Sequence, residues 1–334
     1  MNRQAVTPAL TISEEVSIVV PVRNEADTLH EFLRSLLRQC VAAHEFVFVD
    51  AGSTDATSAV LYEHAMRDHS LRVVHAGPCY PGGARNVGIR SARGSWIAMT
   101  DAGTVVDAEW LGELTAAADR EPHADVVFGT YEPIIRTFFE TCVALAFVPP
   151  AQTVDGCAYR GPSTASMLIR KDVWAELGGF PDDLRACEDL LFFRRLAASE
   201  HRTVRAPRAC VQWHVPGTLG QVFRRFRTYS LHTLRAGLGS EWHRSVMLMY
   251  LVALAVIALG IVAHWTAFLV PPAGLAARAI RSVRARRDIV ARTSPAGLLT
   301  YITVAGLLVW IDFAAFVGAI DYAINKGASR CGDA

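Results

Sequence analysis

The stretch VSIVVPVRNEADTLHEFLRSLLRQ, residues 16–39, decides the fold of this chain. Residues 16–22 form a short β-branched run, which is typical of a strand that is buried on both faces. The segment after it predicts an amphipathic helix. The apolar residues at helical spacing are Leu29, Phe32, Leu33, Leu36 and Leu37. A buried strand followed by a helix indicates an α/β protein.

The same order of strand and helix recurs further along the chain. Strands are predicted at 45–49, 71–76, 95–101 and 203–213, with a glycine-led helix at 81–92. Strands that alternate with helices predict a parallel sheet, whose ligands bind at the carboxyl ends of the strands. Polar residues gather at the predicted strand ends. They are Arg23, Asn24, Glu25, Asp50, Ser53, Asp55 and Asp101.

Four of these polar residues also have a simpler explanation. Asp50 and Asp55 suit a turn and a helix cap, and the pair Asn24 and Glu25 suits an ordinary helix start. Acidic or amide groups at three strand ends of one sheet together indicate a crevice for a nucleotide and a cation. The loop after the first strand contains neither G-x-G-x-x-G nor G-x-x-x-x-G-K-[ST], which excludes a dinucleotide fingerprint and a phosphate loop there.

Composition limits the partners and the compartment. The 334 residues carry a formal net charge of +1, so nothing favours nucleic acid, and none is predicted as a partner. The seven cysteines are scattered without a C-x-x-C pair, which predicts reduced cytosolic thiols rather than disulfides or a zinc site. The N-terminal residues lack the apolar core of a signal peptide.

Two long apolar stretches lie in the last third of the chain. Residues 245–277 contain no Lys, Arg, Asp or Glu, and residues 293–325 contain only Asp312 and Asp321 of these types. Stretches of this length predict membrane segments and a lipid bilayer as a partner. Because a carboxylate in lipid is costly, Asp312 should face protein or a polar cavity.

The chain therefore divides into a globular part and an anchor. We expect an N-terminal tail at 1–14, an α/β domain at 15–235, a membrane anchor at 236–325 and a C-terminal tail at 326–334. The anchor should comprise an apolar hairpin or re-entrant pair at about 245–277, a basic loop at 278–295 and a span at about 296–320. Arginines on both sides of the first apolar stretch favour the cytoplasm. This predicts a multi-pass protein of the cell (inner) membrane with a cytoplasmic catalytic domain; a single crossing at 245–277 is the alternative.

Longer runs of the chain resemble the family 2 glycosyltransferases, which have the GT-A fold. The matching runs are SIVVPVRNEADTLHEFLRSL, FVFVDAGSTDAT, GGARNVGIRSARGSWIAMTDAGT, GPSTASMLIRKDVWAELGGF and CEDLLFFRRL, in the family's order over roughly residues 15–235. The resemblance implies an α/β GT-A domain with a mostly parallel sheet, followed here by C-terminal transmembrane helices. It also implies transfer of a sugar from a UDP- or GDP-linked donor with inversion at the anomeric carbon.

The resemblance implies a donor pocket built from the first two strand ends. The turn formed by Pro21, Val22, Arg23, Asn24 and Glu25 would line the nucleotide. Asp50 would accept a hydrogen bond from the base, with Ser53 and Asp55 shaping the pocket.

The resemblance also implies a site for a divalent cation, Mg²⁺ or Mn²⁺. Arg85 and Asn86 match a pair beside the base and ribose, and Asp101 matches the carboxylate of the D-x-D motif. Gly103 stands where the second carboxylate of that motif belongs, so the site is depleted. Diphosphate oxygens and water supply most ligands of such a cation, and His214 is a candidate for another, although a lone histidine is more often structural.

On the acceptor side the resemblance implies a general base. Asp189 aligns best with it and Glu188 is the second choice, whereas the residues alone indicate only a helix start. The turn containing Gly161, Ser163 and Thr164 would form the floor between donor and acceptor.

The acceptor is expected to be membrane-associated: a polyprenyl phosphate, a lipid or a lipid-linked saccharide. Arg224 and Arg225 are candidates to contact a diphosphate or lipid phosphate, and a basic amphipathic helix at the membrane surface explains them equally well. The apolar segment at 137–151 is either a core helix or an interfacial helix.

Two other functions compete with the transferase. A sugar nucleotidyltransferase would need a glycine-rich G-x-G-[TS]-R loop after the first strand, which the chain lacks. A catalytically degenerate membrane scaffold is suggested by Gly103, but the acidic residues Asp50, Asp101, Glu188 and Asp189 are retained.

Overall fold

The computed structural model describes residues 15–293 and 296–331, so the predicted tail at 1–14 and the last three residues lie outside the described residues. The described chain forms two compact units. The first holds residues up to 132, 152–183 and 188–213, and the second holds 133–151, 184–187 and the residues from 214 onward. The predicted domain boundary near residue 235 stays a prediction.

Ten strands and twelve α-helices follow one another in the described residues. The strands are β1 (Val16–Val22), β2 (Glu45–Asp50), β3 (Leu71–His75), β4 (Trp96–Met99), β5 (Thr104–Val106), β6 (Val126–Ile134), β7 (Gln152–Val154), β8 (Cys157–Tyr159), β9 (Met167–Arg170) and β10 (Thr203–His214). The helices are α1 (Ala26–Leu36), α2 (Thr57–Arg67), α3 (Pro81–Ser91), α4 (Trp110–Arg120), α5 (Phe138–Phe147), α6 (Lys171–Glu176), α7 (Glu188–Ala197), α8 (Leu219–Arg235), α9 (Gly239–Val262), α10 (Val270–Ala285), α11 (Arg287–Arg292) and α12 (Leu298–Cys331).

The main sheet has the order β3-β2-β1-β4-β9-β6-β10-β5. The first four strands in this order are parallel, and β9 pairs antiparallel with both β4 and β6. The α/β architecture predicted from the alternation of strand and helix is therefore confirmed. Val22 lies beside Asp50 in the register, so β1 and β2 end at the same edge of the sheet. Parallel strands bring their carboxyl ends together, which positions the loops of the candidate site.

Apolar side chains cover both faces of this sheet. On one face, α1 contributes Leu29 and Phe32, which are fully buried with Trp110 of α4. On the other face, Ile89 of α3 and Phe192 of α7 pack with the strands. Burial of one such side chain stabilises the fold by about 1.5–3 kcal/mol. The helical spacing of apolar residues thus attaches each helix to the sheet.

The second unit is helical. α5 begins with a capping box between Thr137 and Glu140. Cys142, Val143 and Ala144 are fully buried, so α5 is a core helix, the first of the two alternatives considered above. The Oγ of Ser282 in α10 donates to the carbonyl of Leu145 at 2.8 Å, which joins α10 to α5.

Two helices of the second unit are long and apolar enough to cross a membrane, judged by length and composition within the described residues: 243–262 and 298–326. The first is almost wholly exposed, whereas nearly half of the second is buried. The predicted basic loop at 278–295 was wrong, because α10 and α11 make most of it helical. Its apolar residues Ala279, Val283 and Ile289 are buried, which favours helix over loop.

Asp312 lies inside α12 and is 3% exposed. Both terminal nitrogens of Arg278 donate to the carboxylate of Asp312, and the distance from Nη2 to Oδ1 is 2.9 Å. The Tyr250 hydroxyl donates to Oδ2 of the same carboxylate at 2.9 Å. These contacts confirm the expectation that Asp312 faces protein. The positively charged Arg278 supplies the partner that a buried carboxylate needs.

Candidate active site

The loops after β1 and β2 are bonded to each other. The backbone N–H of Asn24 donates to Ser53 Oγ at 3.0 Å, and the N–H of Thr54 donates to Asn24 Oδ1 at 2.8 Å. Asn24 has a φ of 54°, a left-handed conformation that Asn tolerates better than most residues. The two loops therefore form one rigid rim at the edge of the sheet.

Asp55 caps the helices that follow both loops. Its carboxylate accepts from the N–H of Thr57 at 3.0 Å and from the N–H of Ala26 at 3.2 Å. The N–H of Glu25 donates to Thr57 Oγ1 at 2.8 Å. Hydrogen bonds from Thr57 lower the pKa of Asp55. These contacts form the helix cap that was considered above as the simpler explanation for Asp55. The contribution of Asp55 to a nucleotide pocket stays a prediction.

Asp50 closes the turn after β2 and is 3% exposed. It accepts from the N–H of Ser53 at 2.9 Å and from the Ser58 hydroxyl, and His75 Nδ1 lies 3.5 Å from Oδ2. Burial raises the pKa of Asp50, but the hydrogen bonds from Ser58 and Ser53 outweigh it, so the net shift is downward. The carboxylate is ionised and already bonded, and its contact with a base stays a prediction.

The remaining residues of the first turn differ in exposure. Pro21 is half-buried and Arg23 is exposed, so both are accessible to a ligand. Val22 is buried in the core, and its carbonyl accepts from the N–H of Ala51 at 2.9 Å. The side chain of Val22 therefore packs the sheet instead of facing the crevice.

Arg85 links two acidic segments from its place in α3. Its Nη2 bonds Asp101 Oδ1 at 2.7 Å, and its Nη1 bonds Glu188 Oε1 at 2.7 Å. Arg85 is 4% exposed, and its buried Nε has no hydrogen-bond partner among the described residues. Burial lowers the pKa of Arg85, but the charges of Asp101 and Glu188 outweigh it, so the net shift is upward. A permanently charged guanidinium thus holds two carboxylates together.

A glycine permits this approach. A Cβ at Gly82 would lie 2.0 Å from the carbonyl oxygen of Pro181 and 3.3 Å from Cγ of Glu188. The first turn of α3 therefore packs against the start of α7 only because residue 82 has no side chain.

Glu188 and Asp189 begin α7, as the residue pattern indicated. Glu188 is 6% exposed; burial raises its pKa, Arg85 opposes that shift, and Asp189 reinforces it. Burial also raises the pKa of Asp189, against Arg85 and the N–H of Leu190, which donates to Asp189 Oδ1 at 2.7 Å. A carboxylate with a raised pKa is a better proton acceptor, which suits the predicted general base.

Glu25 lies beside the position that lacks a carboxylate. A Cβ at Gly103, whose φ is 78°, would lie 2.9 Å from Glu25 Oε2. Glu25 accepts from the Thr28 hydroxyl at 2.7 Å. Burial raises the pKa of Glu25, Thr28 lowers it, and the negative charges of Asp55 and Asp101 raise it further. The side chain of Glu25 thus occupies the space next to Asp101 that Gly103 leaves open.

Asn86 is bonded on both sides of its amide. Its Nδ2 donates to the carbonyl of Phe180 at 2.7 Å, and its Oδ1 accepts from the N–H of Phe180 at 2.9 Å and from Trp174 Nε1 at 3.3 Å. These bonds position the segment before α7. The predicted contact of Asn86 with a nucleotide stays a prediction.

The remaining predicted residues lie on other segments of the chain. Ser163 Oγ accepts from the N–H of Ala165 at 3.2 Å in a tight turn that follows Gly161, and Thr164 is buried. His214 ends β10, and Arg224 and Arg225 lie on α8; all three belong to the second unit. Within residues 15–293 and 296–331, no three His, Cys, Asp or Glu side chains form a group able to hold a metal ion.

Sequence reasoning missed three hydroxyl residues that support the site: Thr28, Thr57 and Ser58. The Thr28 hydroxyl bonds the Glu25 carboxylate, the Thr57 hydroxyl bonds the Glu25 backbone N–H, and the Ser58 hydroxyl bonds the Asp50 carboxylate. Thr28 and Thr57 lie three and two residues after Glu25 and Asp55 at helix starts, a spacing that is typical of capping residues.

Comparisons with known proteins found relatives in sequence and in fold. Residues 17–150 match the family model Glycosyl transferase family 2. The uncharacterized glycosyltransferase EpsJ of Bacillus subtilis is 33% identical over 117 residues, 35% of this chain and 34% of that protein. The succinoglycan biosynthesis protein ExoO of Rhizobium meliloti is 38% identical over 116 residues, 34% of this chain and 32% of that protein. The match thus spans about a third of the length of these relatives.

A solved structure extends the likeness in fold to nearly the whole chain. It is the mannosyltransferase PcManGT from Pyrobaculum calidifontis, in complex with GDP-Man and Mn²⁺. Its TM-score is 0.55, with 20% identity, over 93% of this chain and 88% of that one.

Proposed function

We propose that the chain, which has the GT-A fold and whose residues 17–150 match the family 2 model, is an inverting family 2 glycosyltransferase that uses a UDP- or GDP-sugar. The observation that carries the proposal is the cluster around Arg85. This residue joins Asp101, two residues after β4, to Glu188, at the start of α7. A donor-side carboxylate and the acidic start of α7 therefore meet at one guanidinium.

The donor would bind over the joined loops after β1 and β2. The turn at 21–25 and the loop at 50–55 hold each other through hydrogen bonds, so their exposed backbone and the Arg23 side chain are preorganised for a nucleotide. A base that reaches Asp50 would bond a carboxylate that Ser53 and Ser58 already orient.

The residues present fit a divalent cation, Mg²⁺ or Mn²⁺. Asp101 is partly exposed, and its Oδ2 makes no hydrogen bond among the described residues. Glu25 supplies a second carboxylate beside Gly103, and oxygen ligands of this kind suit both metals. Asp101 and Glu25 would hold the cation together with the donor diphosphate; His214 stays a candidate ligand. When bound, the cation neutralises negative charge that develops on the leaving diphosphate.

The transfer step requires one proton acceptor. Asp189 takes the proton of the attacking acceptor oxygen, which belongs to a hydroxyl or to a singly protonated phosphate, while that oxygen attacks the anomeric carbon from the side opposite the diphosphate. The bond from that carbon to the diphosphate oxygen breaks as the new glycosidic bond forms, and the nucleoside diphosphate leaves with the electron pair. Arg85 and Glu188 position Asp189, because their ion pair fixes the start of α7.

We place the enzyme at the cell (inner) membrane with its catalytic domain in the cytoplasm, where nucleotide sugars are. The exposed apolar part of α9 supports a membrane location, which would favour a membrane-associated acceptor. The acceptor is a polyprenyl phosphate, a lipid or a lipid-linked saccharide.

The proposal is tested with the purified full chain in detergent and a panel of UDP- and GDP-sugars. We expect hydrolysis of at least one donor in Mn²⁺ and none in excess EDTA. Asp101→Asn should reduce hydrolysis by about a hundredfold or more, the scale of one lost charge-stabilising group. Asp119→Asn, on the exposed end of α4, is the matched control and should behave as wild type.

Binding of Mn²⁺ provides a readout that does not depend on turnover. The electron paramagnetic resonance signal of free Mn²⁺ should decrease on addition of the chain with UDP or GDP, and less so for Asp101→Asn. Full activity in EDTA would contradict the cation. If no donor were cleaved under any condition, the chain would be the scaffold considered above.

A further inference from the structure

A hollow of about 710 Å³ in the second unit gathers four arginines. We call it the arginine hollow, and its charged lining residues are Arg185, Arg224, Arg225, Arg227 and Asp321. Asp321 is the one carboxylate among the described lining residues, so the hollow carries a formal charge of +3. Guanidinium groups remain charged at every physiological pH. The arrangement therefore favours an anion with more than one negative charge.

Two separate segments bring these arginines together. α8 supplies three of them, and Arg185 comes from the short segment 184–187. The N–H of Arg185 donates to His232 Nδ1 at 3.2 Å, and Cys187 Sγ lies 3.3 Å from Thr233 Oγ1. These contacts attach the segment to the last turn of α8, so the position of Arg185 is built into the fold.

The single carboxylate does not neutralise the hollow. Arg227 Nε bonds Asp321 Oδ2 at 2.5 Å, so the one carboxylate among the described lining residues is already bound to an arginine. Arg185 and Arg224 are exposed, and Arg225 is half-buried. A phosphate or diphosphate ester carries about two negative charges and several acceptor oxygens, which match the planar donor fork of arginine.

The apolar helix α12 contributes Asp321 to the hollow, and a second apolar helix, α9, is bonded to α8 near its own start. Ser230, one turn beyond Arg227 on α8, bonds His243 Nε2 at 2.6 Å, where the exposed apolar part of α9 begins. Asp321 lies near the far end of the apolar segment 298–326 of α12. If α9 and α12 cross a bilayer, arginines near the ends of these helices would face its anionic head groups. A ligand that joins a phosphate to a hydrocarbon chain therefore fits better than a soluble phosphate.

We propose that the arginine hollow binds the phosphate or diphosphate head group of a lipid. This inference rests on the proposed function, in which such a lipid is the acceptor, and narrows that acceptor to a phosphorylated one. Arg224 and Arg225 contact the head group together with Arg185, while Arg227 is held by Asp321.

The test measures binding of dioctanoyl phosphatidic acid to the detergent-purified full chain by microscale thermophoresis. Dioctanoyl phosphatidylcholine and inorganic phosphate are the comparison ligands. We expect phosphatidic acid to bind at least about tenfold more tightly than either, because only it combines a dianionic phosphate with acyl chains. Equal binding of inorganic phosphate would overturn the lipid part of the proposal, and equal binding of phosphatidylcholine would overturn the role of the charge.

Variants show whether the arginines are responsible. Arg224→Gln with Arg225→Gln should weaken phosphatidic acid at least about tenfold, equivalent to 1.4 kcal/mol. Arg185→Gln, on another segment, should weaken it in the same direction. Arg284→Gln with Arg287→Gln removes the same charge from exposed residues of α10 and α11 and should leave binding unchanged. Circular dichroism checks folding, and undiminished binding by the first two variants would overturn the proposal.

The proposed function has its own readout. Hydrolysis of a nucleotide sugar by the wild-type chain without any lipid reports on the donor site alone. Lipid binding without donor hydrolysis would leave the arginine hollow in place and contradict the transferase, and the reverse result would contradict only the hollow.

Discussion

Arg85→Met should destabilise the first unit more than any exposed charge substitution. Methionine keeps much of the apolar stem but removes the guanidinium, which leaves the nearly buried Glu188 without its cation. Removing one partner of a buried ion pair costs about 3–5 kcal/mol. Asp101, with its side chain 38% exposed, adds little because water replaces its lost bond. For a domain of this size, the loss corresponds to a decrease in Tm of roughly 6–20 °C.

The effect should depend on pH with a defined sign. Without Arg85, burial raises the folded-state pKa of Glu188 further above its ordinary value of 4.5. A carboxyl group whose pKa is raised by folding is neutral in both states below the unfolded pKa, so the loss is small below about pH 4. As the pH rises through the folded pKa, the unfolded chain ionises more readily and the full loss develops. The variant should therefore be closest to wild type in acid.

Thermal unfolding of the full chain in detergent, followed by tryptophan fluorescence, measures this loss. Arg67→Met is the matched control, because the pair of Arg67 with Glu63 is exposed on α2 and contributes less than about 1 kcal/mol. Adding Glu188→Gln to Arg85→Met should recover much of the stability, since the buried charge is then gone. The reasoning is refuted if Arg85→Met is no less stable than Arg67→Met, or if Glu188→Gln restores nothing.

Three further predictions concern the catalytic base, the cation site and the anchor. Because burial raises the pKa of Asp189, the acid limb of the pH profile of kcat/KM should have a pKa above the ordinary value of 3.8. Asp189→Asn should abolish transfer, while its affinity for UDP or GDP stays within a few-fold of the wild-type affinity. Loss of nucleotide binding would show that the residue is misassigned. Gly103→Asp should lower the affinity for Mn²⁺, because the new Cβ would lie 2.9 Å from Glu25 Oε2. Adding Glu25→Ala to this variant should recover part of the lost affinity. A higher Mn²⁺ affinity in Gly103→Asp alone would contradict the close contact. In a cysteine-free background, Arg284→Cys should react with an impermeant maleimide only after cells are opened, because the arginine-rich segment is expected in the cytoplasm. Labelling of Arg284→Cys in intact cells would mean that 245–277 crosses the membrane once.

Local patterns were sufficient to predict the four parallel strands of the sheet and the helices between them. The strand predicted at 16–22 is β1, the strand at 45–49 is β2 with one further residue, and the glycine-led helix at 81–92 is α3. These elements follow from side-chain periodicity within a few residues, because each must bury an apolar face against the same sheet. The position of polar residues at strand ends was predictable for the same reason.

The anchor shows where local patterns fail. Arginines between 278 and 292 indicated a loop, but Ala279, Val283 and Ile289 are buried and the segment is helical. A charged segment with a narrow apolar face can form either a loop or a helix, and only its packing decides between them.

Tertiary structure alone decided which acidic groups act together. Arg85 bonds Glu188, 103 residues away in sequence, and Asp101, 16 residues away. Glu25 fills the space beside Gly103 from another strand end, although the sequence suggested only a missing ligand. Periodicity determines which face of an element is buried, but it carries no information about which distant side chains form ion pairs. That pairing depends on the order of strands in the sheet and on close approaches such as the one at Gly82.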